Sequence, residues 1–147
     1  MGKRSSQRAI TIDTHALLWY LDMGQNKKLS MLALQAIADA EHSGIIYVPA
    51  IVIMETFRII EKGRFSLRSK ANAPQNSRQQ AMSFLSMIEN HRSYQIVAVH
   101  ANLMRAAIPF SGLKIHDRLI AATAMLTDTA LVSRDRDIAV SGARVLW

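Results

Sequence analysis

Residues 9–21 read AITIDTHALLWYL, and the order of residue types in that stretch decides the fold. Ala9 to Ile12 is short and apolar, the pattern of a strand buried on both faces. From Thr14 onward, Ala16, Leu17, Tyr20 and Leu21 recur at the spacing of one helix face, predicting a helix over 14–23. A single carboxylate, Asp13, stands at the junction. Burying an unpaired carboxylate is costly, so Asp13 needs either a capping duty or a partner that holds it ionised.

Working outward, the strand–helix alternation continues. Ser30 is an N-cap for a helix through Leu32, Ala36, Ile37 and Ala40 that ends at Gly44. IIYVP (45–49) reads as a second strand, and AIVIMETFRIIEKG (50–63) as a helix closing at Gly63. The polar, basic stretch 64–80, with Pro74, reads as a mobile loop. AMSFLSMIENH (81–91) returns to helix, YQIVAVH (94–100) is a third strand, and ANLMRAAIPF (101–110) is a helix stopped near Pro109. HDRLIAATAMLT (116–127) is helical, ALVS (130–133) is a fourth strand, and ARVLW (143–147) holds a short fifth. Short apolar strands separated by helices predict an α/β fold, a mostly parallel sheet of about five strands covered on both faces. In such sheets the functional crevice lies beyond the carboxyl ends of the strands.

The chain of 147 residues suits a single domain over 1–147, and with 50% hydrophobic and 20% charged residues it can fill a core. Cysteine is absent, which excludes disulfides and thiolate metal sites and fits a reducing, cytoplasmic setting. No apolar stretch is long enough to span a membrane. The basic start, residues 1–8, lacks the hydrophobic region of a signal peptide and reads as an N-terminal arm, native or added. Eighteen Lys and Arg against eleven Asp and Glu give a formal charge of +7, which favours a polyanionic partner such as nucleic acid.

Four acids border these apolar elements. Asp13 follows the first strand, Glu55 lies one and a half turns into the helix after the second, Asp117 opens the helix before the fourth, and Asp135 follows the fourth. Singly, Asp13 reads as an N-cap, Asp117 as a complement to a helix dipole, and Asp135 as a turn residue. Glu55, among Ile53, Met54 and Phe57, has no such duty. All four can converge over one sheet edge, where like charges repel and raise one another's pKa. A divalent cation relieves that repulsion, and without cysteine an oxygen-loving Mg²⁺ or Mn²⁺ suits the set better than zinc. Such a cage suits phosphodiester hydrolysis, because bound metal lowers the pKa of water and stabilises the attacking and leaving oxygens.

The segments IDTHALLWYL (12–21), VPAIVIMETFRIIEKGR (48–64), IHDRLIAATAML (115–126) and ALVSRDRDI (130–138) occur in an order and spacing that resembles the PIN-domain family, and most of all its VapC-type toxins of bacterial toxin–antitoxin pairs. The resemblance runs over about 10–145. It implies a three-layer α/β/α domain with an Mg²⁺- or Mn²⁺-dependent endoribonuclease site. The family's four acids fall on Asp13, Glu55, Asp117 and Asp135, with Ser133 where relatives carry a supporting hydroxyl. It also implies an RNA substrate, a small VapB-like antitoxin that neutralises the enzyme, and a homodimer. Some relatives carry a further acid where this chain has Lys114, and relatives often have Gly in the turn occupied here by Thr127, Asp128 and Thr129. Asp137 is a second acid beside Asp135 and an alternative to it.

Around the acids, Lys114, Arg118 and Arg134 are candidate RNA-phosphate contacts. Arg64, Arg68, Lys70 and Arg78 form a second basic stretch that either tracks an RNA backbone or is a solvated loop. His15 and His116 flank two of the acids, in a spacing that imposes no metal geometry. Trp19 and Tyr20 either stack on bases or pack in the core or a dimer contact. The chemistry expected is hydrolysis leaving a 5′-phosphate and a 3′-hydroxyl. The alternatives are a catalytically silent PIN-like module that binds RNA or protein, and a DNA or structure-specific nuclease with the same cage. A phospho-acceptor receiver domain fits poorly, because Asp13 directly follows the first strand and Glu55 lies on a helix.

Overall fold

The chain enters its sheet at the centre. In the computed structural model, which describes residues 8–65 and 76–147, β1 (Ala9–Ile12) is hydrogen-bonded to β2 (Ile45–Pro49) on one side and β4 (Ala130–Val132) on the other. β3 (Tyr94–Val97) pairs with β2, and β5 (Val145–Leu146) with β4, giving a five-stranded parallel sheet in the order β3-β2-β1-β4-β5. A central strand has no solvent-facing side, which is why β1 is apolar throughout except for Thr11. That buried hydroxyl lies 2.6 Å from Thr129 Oγ1 and 3.2 Å from Thr127 Oγ1, so the polar residue is satisfied where it sits.

Seven α-helices occur among the described residues: α1 (Thr14–Leu21), α2 (Met31–Ser43), α3 (Ala50–Glu61), α4 (Ser77–Asn90), α5 (Ala101–Ala107), α6 (Ile115–Thr127) and α7 (Arg136–Val140). Helices cover both faces of the sheet, the expected three-layer α/β/α arrangement. The core runs through Ile12, Leu17, Ile37, Ile46, Val48, Phe84 and Leu131, all fully buried. No helix among the described residues is long and apolar enough to cross a membrane.

Entry into β2 depends on one close approach. The Ile45 N–H donates to the Arg8 carbonyl at 3.0 Å. A Cβ on the preceding Gly44 would lie 1.6 Å from that same oxygen, so only glycine lets the two chain segments meet.

Several boundaries differ from the sequence expectation. The first helix stops at Leu21, and Met23–Lys28 continues as a 3₁₀ helix, with the Asp22 side chain capping its start. The third strand ends at Val97, and the helix before Pro109 ends at Ala107 with a 3₁₀ turn over Ile108–Phe110. Helix α4 begins at Ser77, inside the stretch expected as loop. Asn76 and Gln79 form a reciprocal capping box there, a signal that the Pro-containing polar run concealed. The rest of that stretch, 66–75 with Arg68, Lys70 and Pro74, lies outside the described residues, as does the basic arm over residues 1–7.

The strand order places the reversal of direction between β1 and β4. Chain order proceeds from β1 to β2 and β3 on one side, then crosses to β4 and β5 on the other. The crevice expected of such a sheet therefore opens beyond Ile12 and Val132.

Candidate active site

Asp13 is the first residue past β1, and its backbone N–H still donates to the Val132 carbonyl at 3.2 Å. Its side chain caps α1, with Oδ1 accepting from the Ala16 N–H at 3.0 Å. The other oxygen, Oδ2, accepts a short hydrogen bond from the Ser133 hydroxyl. Ser133 is itself buried and accepts from the Asp135 N–H at 3.0 Å. One serine thus joins the ends of β1 and β4. Asp135 caps α7, its Oδ1 accepting from the N–H groups of Asp137 at 2.8 Å and Ile138 at 3.3 Å. This short helix was not foreseen in the sequence, where Asp135 read as a turn residue.

Glu55, half-buried on α3, is held from two sides. The Thr14 hydroxyl donates to Oε2 at 2.8 Å, and His116 Nδ1 lies 3.0 Å from Oε1. Asp117 occupies the first turn of α6, where the helix dipole favours a negative charge. The capping role read from the sequence for Asp13 and the dipole position read for Asp117 are therefore real, and Asp135, read as a turn residue, is a cap as well. They coexist with a second fact: all three, with Glu55, line one cleft of about 430 Å³ together with Thr14, His15, Trp19, Ile120 and Arg134. A cleft of that size admits a nucleotide-sized group.

The acids feel one another. Asp13 keeps some solvent contact through the cleft, but protein surrounds it on most sides. Burial pushes its pKa above the ordinary carboxylate range, against the opposing pull of the Ser133 and Ala16 hydrogen bonds and of His15, while the Asp135 charge pushes it further up. Asp117 is also raised, first by partial burial, then by the charges of Asp135 and Glu55, with Lys114 and His116 pulling the other way. Among the described residues, no hydrogen bond or ion pair engages the Asp117 carboxylate. Nor are three His, Asp or Glu side chains among them drawn tightly enough together to form a ready-made metal cage. Asp13, Glu55 and Asp135 each lean on donors of their own.

The remaining candidates separate cleanly. Arg134 is exposed and lines the cleft. Lys114 is exposed at the N-cap of α6. Arg118 faces elsewhere: its Nε donates to the Ala107 carbonyl at 2.8 Å and Nη2 to that of Ile108 at 3.3 Å, tying α6 to the end of α5. Asp137 is exposed on α7 and is not part of the cleft wall. Of the basic loop, Arg64 and Arg78 are exposed. Sequence reasoning missed Thr14 as a donor to Glu55 and His116 as its partner. For Thr14 the available signal was its place immediately after Asp13, at the first turn of a helix.

The PIN domain model matches residues 10–142. The chain belongs to the PIN domain family. A search of curated protein sequences found no match. Among solved structures, this PIN domain is similar to a chain of VapBC2 from Rickettsia felis, crystallised bound to a DNA fragment from its promoter, at 16% identity and a TM-score of 0.61, covering 93% of this chain and 96% of that one. It is similar to VapC20 of Mycobacterium tuberculosis, described as a sarcin–ricin-loop-cleaving toxin, at 13% identity and a TM-score of 0.63, covering 91% and 95%. A chain of FitAcB from Neisseria gonorrhoeae matches at 15% identity and a TM-score of 0.59, covering 92% and 94%. At these identities the likeness is one of fold.

Proposed function

We propose that this PIN domain is a divalent-metal-dependent endoribonuclease of the VapC-like toxin kind, held in check by a small antitoxin protein. The reading rests on one observation above the others: four carboxylates from four separate elements border a single cleft at the switch point of the sheet, and burial and mutual charge raise two of them. The donor set is all oxygen in a chain without cysteine, which fits Mg²⁺ or Mn²⁺. Asp13, Glu55, Asp117 and Asp135 are the residues that would hold the ion. Bound there, it would lower the pKa of water and stabilise charge on the phosphate.

The chain's own residues have distinct parts in this proposal. Ser133 fixes the orientation of Asp13 by its hydrogen bond and ties it to the Asp135 backbone. Thr14 and His116 hold the two oxygens of Glu55. Arg134, on the cleft wall, offers a fork of donors to a backbone phosphate. Lys114 at the N-cap of α6 supplies a point charge nearby. Asp137, exposed on α7, has a lesser share than Asp135. The products carry a 5′-phosphate and a 3′-hydroxyl. The solved toxin–antitoxin neighbours support an antitoxin partner, and a homodimer belongs to the same reading.

The test is cleavage of a panel of transfer RNA, ribosomal RNA fragments, messenger RNA and single-stranded DNA with Mg²⁺, Mn²⁺ or EDTA, with Asp13→Asn and Glu55→Gln proteins run beside the parent. Metal-dependent cuts at discrete RNA positions are expected, lost by about a thousandfold or more in both variants, the scale of removing several kcal/mol of charge stabilisation. Binding of RNA without any cut moves the protein to the silent-module reading. Cutting of DNA in preference to RNA moves it to the DNA-nuclease reading. Products ending in 2′,3′-cyclic phosphate rule out the hydrolytic route proposed.

A further inference from the structure

We propose that the Trp19 indole is a stacking platform for an unpaired base of the substrate strand, next to the phosphate held at the acids. This rests on the ribonuclease reading and adds to it a residue that grips the substrate by its base. Trp19 lines the same cleft as Asp13, Glu55, Asp117, Asp135 and Arg134. It lies six residues along the chain from Asp13, about 9 Å of helical rise. A strand with a phosphate at Asp13 can therefore lay a neighbouring base over the ring.

The indole is only half-buried, and its aromatic neighbours brace it. Trp147, which follows β5, meets it edge-on at 6.0 Å between centroids and 63°. His15, itself on the cleft wall, lies 5.6 Å away at 47°. Both Trp19 and Trp147 pack against the main core, so the platform is anchored by the fold. Above the ring sits an exposed cation, Lys28 Nζ, 5.7 Å from the centroid. A long, exposed lysine can yield that place to a base and turn its charge to the adjoining phosphate. A half-buried aromatic ring on the wall of a cleft with a basic rim is the arrangement by which proteins hold single-stranded bases without reading their edges.

The chain has two tryptophans, so Trp147→Phe leaves Trp19 as the sole indole reporter. The Asp13→Asn/Trp147→Phe protein is titrated with a labelled six-nucleotide oligoadenylate and with an abasic oligomer of the same length, following both indole fluorescence and anisotropy of the label. Saturable quenching by the oligoadenylate and none by the abasic strand are expected. Trp19→Leu, checked for folding by circular dichroism, should weaken oligoadenylate binding and raise KM for cleavage about tenfold or more, with kcat within about twofold. Trp19→Phe should fall between. Oligoadenylate binding without quenching overturns the platform, and so does equal affinity in a folded Trp19→Leu protein; metal-dependent cleavage by the parent then leaves the ribonuclease reading standing. No RNA binding and no cleavage by the parent overturn both. If Trp19→Leu does not fold, the quenching comparison decides alone.

Discussion

Glu41 in α2 and Asp13 at the end of β1 are both carboxylates set against apolar packing, at opposite edges of one sheet. Their surroundings differ in kind. Glu41 is closed by the chain itself: the Tyr20 hydroxyl donates to Oε1 at 3.0 Å and the Tyr94 hydroxyl to Oε2 at 2.8 Å, linking α1, α2 and the start of β3. Burial and the Glu41 charge push Tyr20 up to about 12 and raise Tyr94 further, so both phenols remain donors at any physiological pH. At the carboxyl edge four acids share one cleft, where Asp117 has no donor among the described residues, and burial, followed by the charges of neighbouring acids, pushes Asp13 and Asp117 up. Glu41 has each oxygen met by a phenol and does not line the cleft of the acids. A group of carboxylates left to repel one another is open to a cation from outside.

The sharpest way to break this comparison is at Glu41. Glu41→Ala strands two phenols, of which Tyr94 is 8% exposed. The expected cost is about 3 kcal/mol of unfolding free energy, because each stranded donor forfeits roughly 1–3 kcal/mol. Urea denaturation measures it. Tyr94→Phe alone should cost about 1 kcal/mol, leaving Glu41 one donor. RNA cleavage per folded molecule should be unchanged in both. A Glu41→Ala protein as stable as the parent would mean that the phenol pair contributes nothing net, and the contrast with Asp13 would collapse.

At the other edge the sign reverses. A carboxyl whose pKa is raised on folding costs stability: the cost is absent below the unfolded value, near 3.8, grows as pH climbs through the folded value, and is fully present above it. In EDTA, then, Asp13 and Asp117 make the fold less stable at neutral pH than at mildly acid pH. Asp13→Asn removes one charge while its Oδ1 can still accept from the Ala16 N–H, and the amide nitrogen in place of Oδ2 can donate to the Ser133 hydroxyl oxygen. It should raise the Tm at pH 7 by a few degrees, on the order of 1 kcal/mol, and flatten the pH dependence. Adding Mn²⁺ or Mg²⁺ should restore the order, raising the Tm of the parent by binding linkage and leaving Asp13→Asn behind. Differential scanning calorimetry in both conditions measures it. A Tm lowered by Asp13→Asn in EDTA would place Asp13 with Glu41, as a structural carboxylate.

How far the sequence revealed these two regions follows from what each depends on. The parallel sheet was legible because strand and helix periods alternate without ambiguity from Ile10 to Leu131. Asp13, Asp117 and Asp135 drew notice because each abuts the end of a strand or the start of a helix, and Glu55 because it is an acid among apolar neighbours one and a half turns into α3. Glu41 was not legible, since nothing in the polar end of α2 announces that Tyr20 and Tyr94 will point at it across three elements. Ser133 entered only through family resemblance; its bond to Asp13 spans 120 positions. Arg118 sat one residue from an acid in sequence, yet a helix turns successive side chains about 100° apart, and its guanidinium went to the end of α5.

The smallest effect is expected at a carboxylate that belongs to neither region. Asp128 ends α6 with φ 51° and ψ 51°, the only non-glycine residue at positive φ among those described. Its backbone N–H closes the helix onto the Ala124 and Met125 carbonyls, and its own carbonyl accepts from Arg144 Nη2 at 3.2 Å. The turn uses the Asp128 backbone, and the exposed side chain sits over a left-handed conformation that costs an L-residue roughly 1–2 kcal/mol, less for aspartate. Asp128→Gly removes that strain and adds the larger unfolded-state entropy of glycine, about 0.5–1 kcal/mol against it. The two nearly cancel, so a gain of no more than about 0.5 kcal/mol is expected, with cleavage and cation response both unaltered. Asp128→Ala keeps the strain without the short polar side chain that tolerates it, and should lose about 1 kcal/mol. Urea midpoints of the three proteins test the ordering Gly, Asp, Ala. A cation response altered by either substitution would mean that charge outside the cleft reaches the acids, and the division of the molecule into two carboxylate regions would have to be redrawn.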